Sequence, residues 1–131
     1  MNRQEEAKKL HHEGFNCAQS VLIASRDFTG LDQKVAAKVA CGFGGGVRSG
    51  EICGCITGGV MALGCCSTQS ETAPLAMRMV SDFREEHGCV RCAELQEKYG
   101  GKTKCDDMIA FGAELTARIL RENGFKPLEE A

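Results

Sequence analysis

The 131-residue sequence has no charge excess, no long apolar run and no strand-like alternation, and each absence removes a class of function. Lysine and arginine number 16 against 18 acidic residues, and the two signs are interspersed, so no basic face argues for nucleic acid. The longest mainly apolar run, Ile52 to Cys66, is shorter than the ~20 residues of a membrane helix and is broken by glycines, so no membrane insertion is expected. The N-terminal MNRQEEAKKLHHEG lacks the apolar segment of a secretory signal, and a cytoplasmic protein is expected. No paired carboxylates suggest hydrolysis. No Gly-Lys-Ser/Thr ending follows Gly44-Gly45-Gly46, and no strand precedes it, so no nucleotide is expected. Without repeats, linkers or low-complexity tracts, residues 1–131 read as a single all-α domain, a bundle of about six or seven helices.

Glycine and cysteine are abundant instead. The stretch Gly42 to Cys66 holds nine glycines and four cysteines in 25 residues. Glycine in a helix interior costs roughly 1 kcal/mol relative to alanine, so this many suggests positive φ or close approach to another group. The chain carries nine cysteines, an odd number. In a reducing compartment such cysteines bind metal or do redox chemistry more often than they form disulfides. About half are expected to be small buried hydrophobes.

Helix boundaries follow from caps and periodicity. Asn2 with Glu5 opens a short first helix that Gly14 stops. Asn16 caps a second, with Cys17, Val21, Ala24 and Phe28 facing the core and Cys17 in the first turn. Asp32 caps a third, whose apolar stripe is Val35, Ala36, Val39 and Ala40, ending near Cys41-Gly42. From Glu51 a fourth, buried helix is expected, lined by Gly54 with Gly58 and Cys55 with Gly59 so that neighbours can approach closely. The competing reading is a hairpin over Val47 to Ile52. Pro74 suits the first turn of a fifth helix ended by Gly88, Cys89 and Cys92 open a sixth running to Tyr99, and Asp106-Asp107 cap a last one ending at Asn123-Gly124. The acidic tail after Pro127 is expected to fray.

This reading puts Cys17, Cys92 and Cys105 at or near helix starts, where unpaired amides favour a thiolate, and Cys53 where the glycine loop meets the buried helix. If the bundle gathers those ends, the four form a tetrathiolate suited to an iron-sulfur cluster or zinc; the competing reading is coincidence among nine cysteines. Cys89-Val-Arg-Cys92 has C-x-x-C spacing without the βαβ context of a thioredoxin-like site. Cys65 and Cys66 read as buried filler or a partial second thiol site, and Cys41 and Cys89 have no assigned role. His11 and His12 are expected to be solvated, and His87 to complement a helix end.

Taken in order, Asn16-Cys17-Ala18-Gln19, Phe43-Gly44-Gly45-Gly46, Cys53-Gly54-Cys55-Ile56-Thr57-Gly58, Cys92 and Cys105 resemble the C_GCAxxG_C_C family of redox-active proteins over nearly the whole chain. By that family's four-cysteine pattern, the functional positions are Cys17, Cys53, Cys92 and Cys105. The chain departs from it at Cys55, where the family's C-G-A-x-x-G motif has alanine, which adds either a ligand or a resolving thiol beside Cys53. The resemblance implies an iron-sulfur centre of the kind associated with split-Soret cytochromes, an unidentified redox partner protein and a functional link to a transporter. No haem attachment follows, since Cys92 precedes Ala93 rather than histidine.

Three functions are consistent with these residues. The first is electron transfer by a [2Fe-2S] cluster on the four cysteines, with the backbone amides of Gly44, Gly45, Gly46 and Gly54 as cofactor-binding groups. The second is a metal-free thiol enzyme, an oxidoreductase or sensor, with Cys53 or Cys17 attacking and another cysteine such as Cys55 resolving. The third is a zinc-stabilised binding module. A homodimer is compatible with all three.

Overall fold

The structure, a computed structural model, describes residues 1–101 and 104–130. Among these residues eight α-helices follow one another: α1 (Arg3–His12), α2 (Cys17–Ala24), α3 (Arg26–Thr29), α4 (Gln33–Ala40), α5 (Gly54–Cys66), α6 (Gln69–His87), α7 (Cys92–Tyr99) and α8 (Cys105–Glu122). Among the described residues the one extended pairing is an isolated antiparallel bridge between Ile52 and Arg91. No helix is long and apolar enough to cross a membrane among the described residues.

The bundle is built around α5, which packs on α2, α6 and α8, while α1 lies across α2 and α8. The small residues of α5 set these distances. A methyl group at Gly58 would lie 2.5 Å from the Ala18 carbonyl oxygen of α2, and one at Gly59 would lie 2.5 Å from Thr116 Oγ1 of α8 and 2.6 Å from the Met79 methyl of α6. From the other side, a methyl group at Gly112 of α8 would come within 3.0 Å of the Cys55 carbonyl oxygen. Neighbouring backbones approach α5 because no side chain separates them. Leu22, Ile23, Ile56, Leu63, Met79, Phe83, Ile109, Leu115 and Ile119 fill the remaining volume and are buried.

Local capping explains most boundaries. Asn16 accepts the Gln19 amide while the Gln19 side chain returns to the Asn16 amide, a complete capping box, and Asp32 accepts the Lys34 amide. Gly88 and Gly100 end α6 and α7 in the left-handed conformation, φ 83° and 73°.

Five expectations are corrected. The second helix breaks at Ser25, whose hydroxyl bonds the Val21 carbonyl at 2.9 Å, and α3 is a separate short helix. On α4 it is Ala36 and Ala40 that are buried, while Val35 and Val39 stand about half exposed. Helix α5 begins at Gly54 rather than near Glu51. Helix α6 starts at Gln69, because Thr68 and Glu71 form a capping box; Pro74 therefore lies inside the helix, where it cannot donate to the exposed Ser70 carbonyl. The tail does not fray at once: Pro127 is buried and Leu128–Glu130 form a 3-10 turn, although Ala131 lies outside the described residues.

The expected glycine loop is there and the alternative hairpin is not. After a 3-10 turn at Cys41–Phe43, four consecutive residues, Gly45, Gly46, Val47 and Arg48, have φ between 56° and 65°, forming a left-handed turn. Such a conformation costs roughly 1–2 kcal/mol at each non-glycine residue, here Val47 and Arg48. Gly46 permits it, since a side chain there would strike the Glu51 backbone, and the Glu51 amide closes the turn on the Gly46 carbonyl at 3.0 Å.

Candidate redox site

Four helix starts face one cavity. Cys17 is the first residue of α2, Cys92 of α7 and Cys105 of α8, and Cys53 is the N-cap of α5. These four cysteines, together with Cys55, line a cavity of about 160 Å³ shared with Gly44, Gly45, Arg48, Gln96 and Met108. The first residues of a helix present unpaired amides and a partial positive charge, so four of them favour anionic sulfur in the space between.

Backbone pairing fixes two of the thiols relative to each other. The Cys53 amide donates to the Val90 carbonyl at 2.8 Å and the Cys92 amide to the Glu51 carbonyl at 2.7 Å, flanking the Ile52–Arg91 bridge. Outside, Arg91 grips the Glu51 carboxylate with two hydrogen bonds of 3.2 and 3.1 Å. One turn into α7, Gln96 Nε2 donates to Cys92 Sγ at 3.0 Å.

Cys17 is held against α5. A side chain at Gly54 would collide with Cys17 Sγ and sit 3.0 Å from the Ala18 nitrogen, so the glycine between Cys53 and Cys55 is what lets that sulfur lie on the α5 backbone. The Cys55 thiol hydrogen-bonds Cys17 and, overcoming the opposing effect of burial with help from the backbone amides of Gly45, Ala18 and Gly54, brings the Cys17 thiol down to about 6. The reciprocal effect on Cys55, from its bonds to Cys17 and then Cys53 and from complete burial, pushes its thiol far up. Of the two, Cys17 is the more acidic thiol and Cys55 the less acidic.

The rim carries groups that sequence reasoning assigned elsewhere. His11 was expected in solvent, but it lines the cavity, and His11 Nδ1 and His12 Nε2 lie 2.7 and 2.6 Å from the two oxygens of Asp106. Burial raises the Asp106 carboxyl, and the bonds to His11 and His12 more than reverse this, leaving it below its ordinary value. Asp106 is thus a tie between α1 and α8 rather than a cap. His87 does lie in the last turn of α6, where burial lowers its pKa, and it packs against Phe83 and Phe111 with Nδ1 3.0 Å from the Tyr99 hydroxyl.

Of the glycines singled out, Gly44 and Gly45 line the cavity, Gly54 seats Cys17, and Gly46 closes the loop behind it. Cys89 is turned toward the His87 carbonyl, whereas Cys92 lines the cavity. Cys65 and Cys66 lie at the far end of α5, and Cys41 is exposed in a groove beside the cavity. Gln96 was missed, although its place four residues after Cys92 on a helix was a readable signal. No disulfide joins cysteines among the described residues, and there no set of three or more His, Cys, Asp or Glu side chains is placed to hold a single metal ion.

No curated protein and no solved structure matches the chain. A family model described as "Putative redox-active protein (C_GCAxxG_C_C)" matches residues 15–119, a span that includes all four helix-start cysteines and most of the chain. The chain belongs to the C_GCAxxG_C_C family.

Proposed function

We propose that the chain is an electron carrier in which Cys17, Cys53, Cys92 and Cys105 hold an iron-sulfur cluster of the [2Fe-2S] type. The observation that carries this reading is the convergence of these four thiols, each from a different helix start, on one cavity. Thiolates are the soft donors such a cluster takes, and its negative charge suits a space faced by four helix N-termini. Each iron of a [2Fe-2S] cluster takes two cysteines, so four thiols around one cavity match the number that such a cluster needs.

When bound, the cluster supplies a one-electron couple. This chain's residues orient and tune it: the Glu51–Cys53 and Val90–Cys92 segments lock two ligands together, and Gln96 donates to the Cys92 sulfur, stabilising added negative charge and so raising the potential. Replacing each ligand in turn by serine tests the reading. Iron and acid-labile sulfide should be lost from Cys17→Ser, Cys53→Ser, Cys92→Ser and Cys105→Ser and kept by Cys41→Ser and Cys65→Ser. Retention of full iron by any two of the first four would sink it.

A further inference from the structure

We propose that the outer face of α4, with the glycine loop after it, docks an acidic electron-transfer protein that exchanges electrons with the thiol cavity past Arg48. Such a docking surface rests on the electron-carrier reading and gives its partner a chemistry.

The apolar centre of the face comes first. Helix α4 buries Ala36 and Ala40 and turns Lys34, Val35, Lys38 and Val39 outward, with Val35 47% and Val39 53% exposed. Val47, in the left-handed turn that follows, is 46% exposed. Three of the six large hydrophobic side chains left exposed among the described residues thus fall within one short segment. Val47 is also held at a positive φ that valine disfavours, with only about half of its surface covered in return. A partner's surface accounts for both.

Charge of one sign surrounds these valines. From Gln33 to Gly50 there is no carboxylate, and Lys34, Lys38 and Arg48 have none as a partner among the described residues. The flanking acids are engaged, Asp32 by the Lys34 amide and Glu51 by Arg91. The segment is therefore cationic in a chain whose net charge is −2. An apolar centre with a charged rim has the composition of a protein interface, and a cationic rim suits an acidic partner. A second copy docked symmetrically through this face would set lysine against lysine.

The face meets the cavity at Arg48. Its Nη2 donates to the Cys41 carbonyl at 3.3 Å, which ties the loop to the end of α4. His11, Asn16 and Arg48 line the thiol cavity and also the open groove that contains Cys41, so single side chains form the wall between them. A partner seated there faces the cavity across that wall. It is reduced by one electron as this chain is oxidised by one, and no bond is made or broken.

The test uses the full chain, assembled with iron and sulfide, reduced, and mixed in a stopped-flow cell with a plastocyanin that bears an acidic patch or with a cytochrome c that has a basic haem edge. Plastocyanin should be reduced on the order of tenfold faster at low salt than at high salt, and the cytochrome should gain less. Lys34→Glu with Lys38→Glu should abolish the plastocyanin gain while iron, sulfide and oxidation by neutral benzoquinone stay unchanged. Arg118→Glu with Lys126→Glu, the same change in charge at exposed positions elsewhere, should preserve it. Val35→Ser with Val39→Ser should slow the reaction at high salt too. A gain that both charge-reversed variants lose equally reports net charge alone and overturns the face, as does a wild-type plastocyanin rate indifferent to salt. Carbodiimide cross-linking at low salt, mapped by mass spectrometry, distinguishes the two readings. An iron-loaded, reducible chain with no link from Lys34 or Lys38 to plastocyanin overturns the face and keeps the electron carrier. Links at those lysines in a chain without iron keep the docking face and remove the electron carrier.

Discussion

Replacing Gly58 by alanine tests the contact that seats the site. Gly58 has ordinary helical φ, so alanine suits its backbone and the obstacle is space alone. The added methyl would lie 2.5 Å from the Ala18 carbonyl oxygen and 3.1 Å from two further Ala18 backbone atoms, where ordinary contact begins at 3.4 Å. Helices α2 and α5 must part by about 0.9 Å to accept it. Overpacking costs about 1–3 kcal/mol, the upper end applying against a backbone that cannot rotate away, and the better helix propensity of alanine returns about 1 kcal/mol. A net loss of about 2 kcal/mol lowers Tm by roughly 6–10 °C in a domain of this size. Gly64→Ala on the same helix is the control. Its methyl would meet only Thr72 Cγ2 at 3.8 Å, so about 1 kcal/mol should be gained and Tm should rise. Thermal and urea unfolding of both variants provide the assay. If Gly58→Ala is stabilised along with Gly64→Ala, the close α2–α5 approach is wrong.

Three further outcomes are expected. In metal-free protein, Cys17 alkylation should titrate with a midpoint near 6, and Cys55→Ala should move it upward; a midpoint near 9 in the unaltered chain would contradict the lowered Cys17 thiol. The sign for stability follows: the thiolate's contribution is complete above the unfolded value near 9, declines as pH falls and is gone below about 6. His87, a base lowered by burial, makes the unfolded chain bind the extra proton more readily, so stability should fall with pH below about 6.5; His87→Gln should flatten that slope in urea midpoints measured across pH 5 to 7.5. Val47→Asn should stabilise the chain by about 1 kcal/mol, because asparagine tolerates the left-handed conformation that valine resists; an unchanged or lower urea midpoint would place Val47 elsewhere in φ.

What the sequence made readable was local. Asn16, Asp32, Gly88 and Gly100 mark helix ends through bonds and dihedrals that depend on a few adjacent residues, and the Gly54/Gly58 and Cys55/Gly59 spacing announced a helix that neighbours could approach closely. The helix-start positions of Cys17, Cys53, Cys92 and Cys105 were legible for the same reason. The rest depends on tertiary neighbours. Val35 and Val39 fit the apolar period of α4 as well as Ala36 and Ala40 do, and only the tertiary packing of α4, which lies against α2, distinguishes them. His11 and His12 meet Asp106 across more than 90 positions of sequence, which no local pattern encodes. The left-handed turn at Gly45 to Arg48 forces positive φ on two residues that disfavour it, so propensity pointed away from it.

The central claim is most directly tested by preparing the chain under strict anaerobiosis and measuring iron, acid-labile sulfide and the visible spectrum together. The account predicts about two irons and two sulfides per chain and a broad absorbance that bleaches on one-electron reduction. A folded chain that stays colourless and iron-free after reconstitution with iron and sulfide would contradict it.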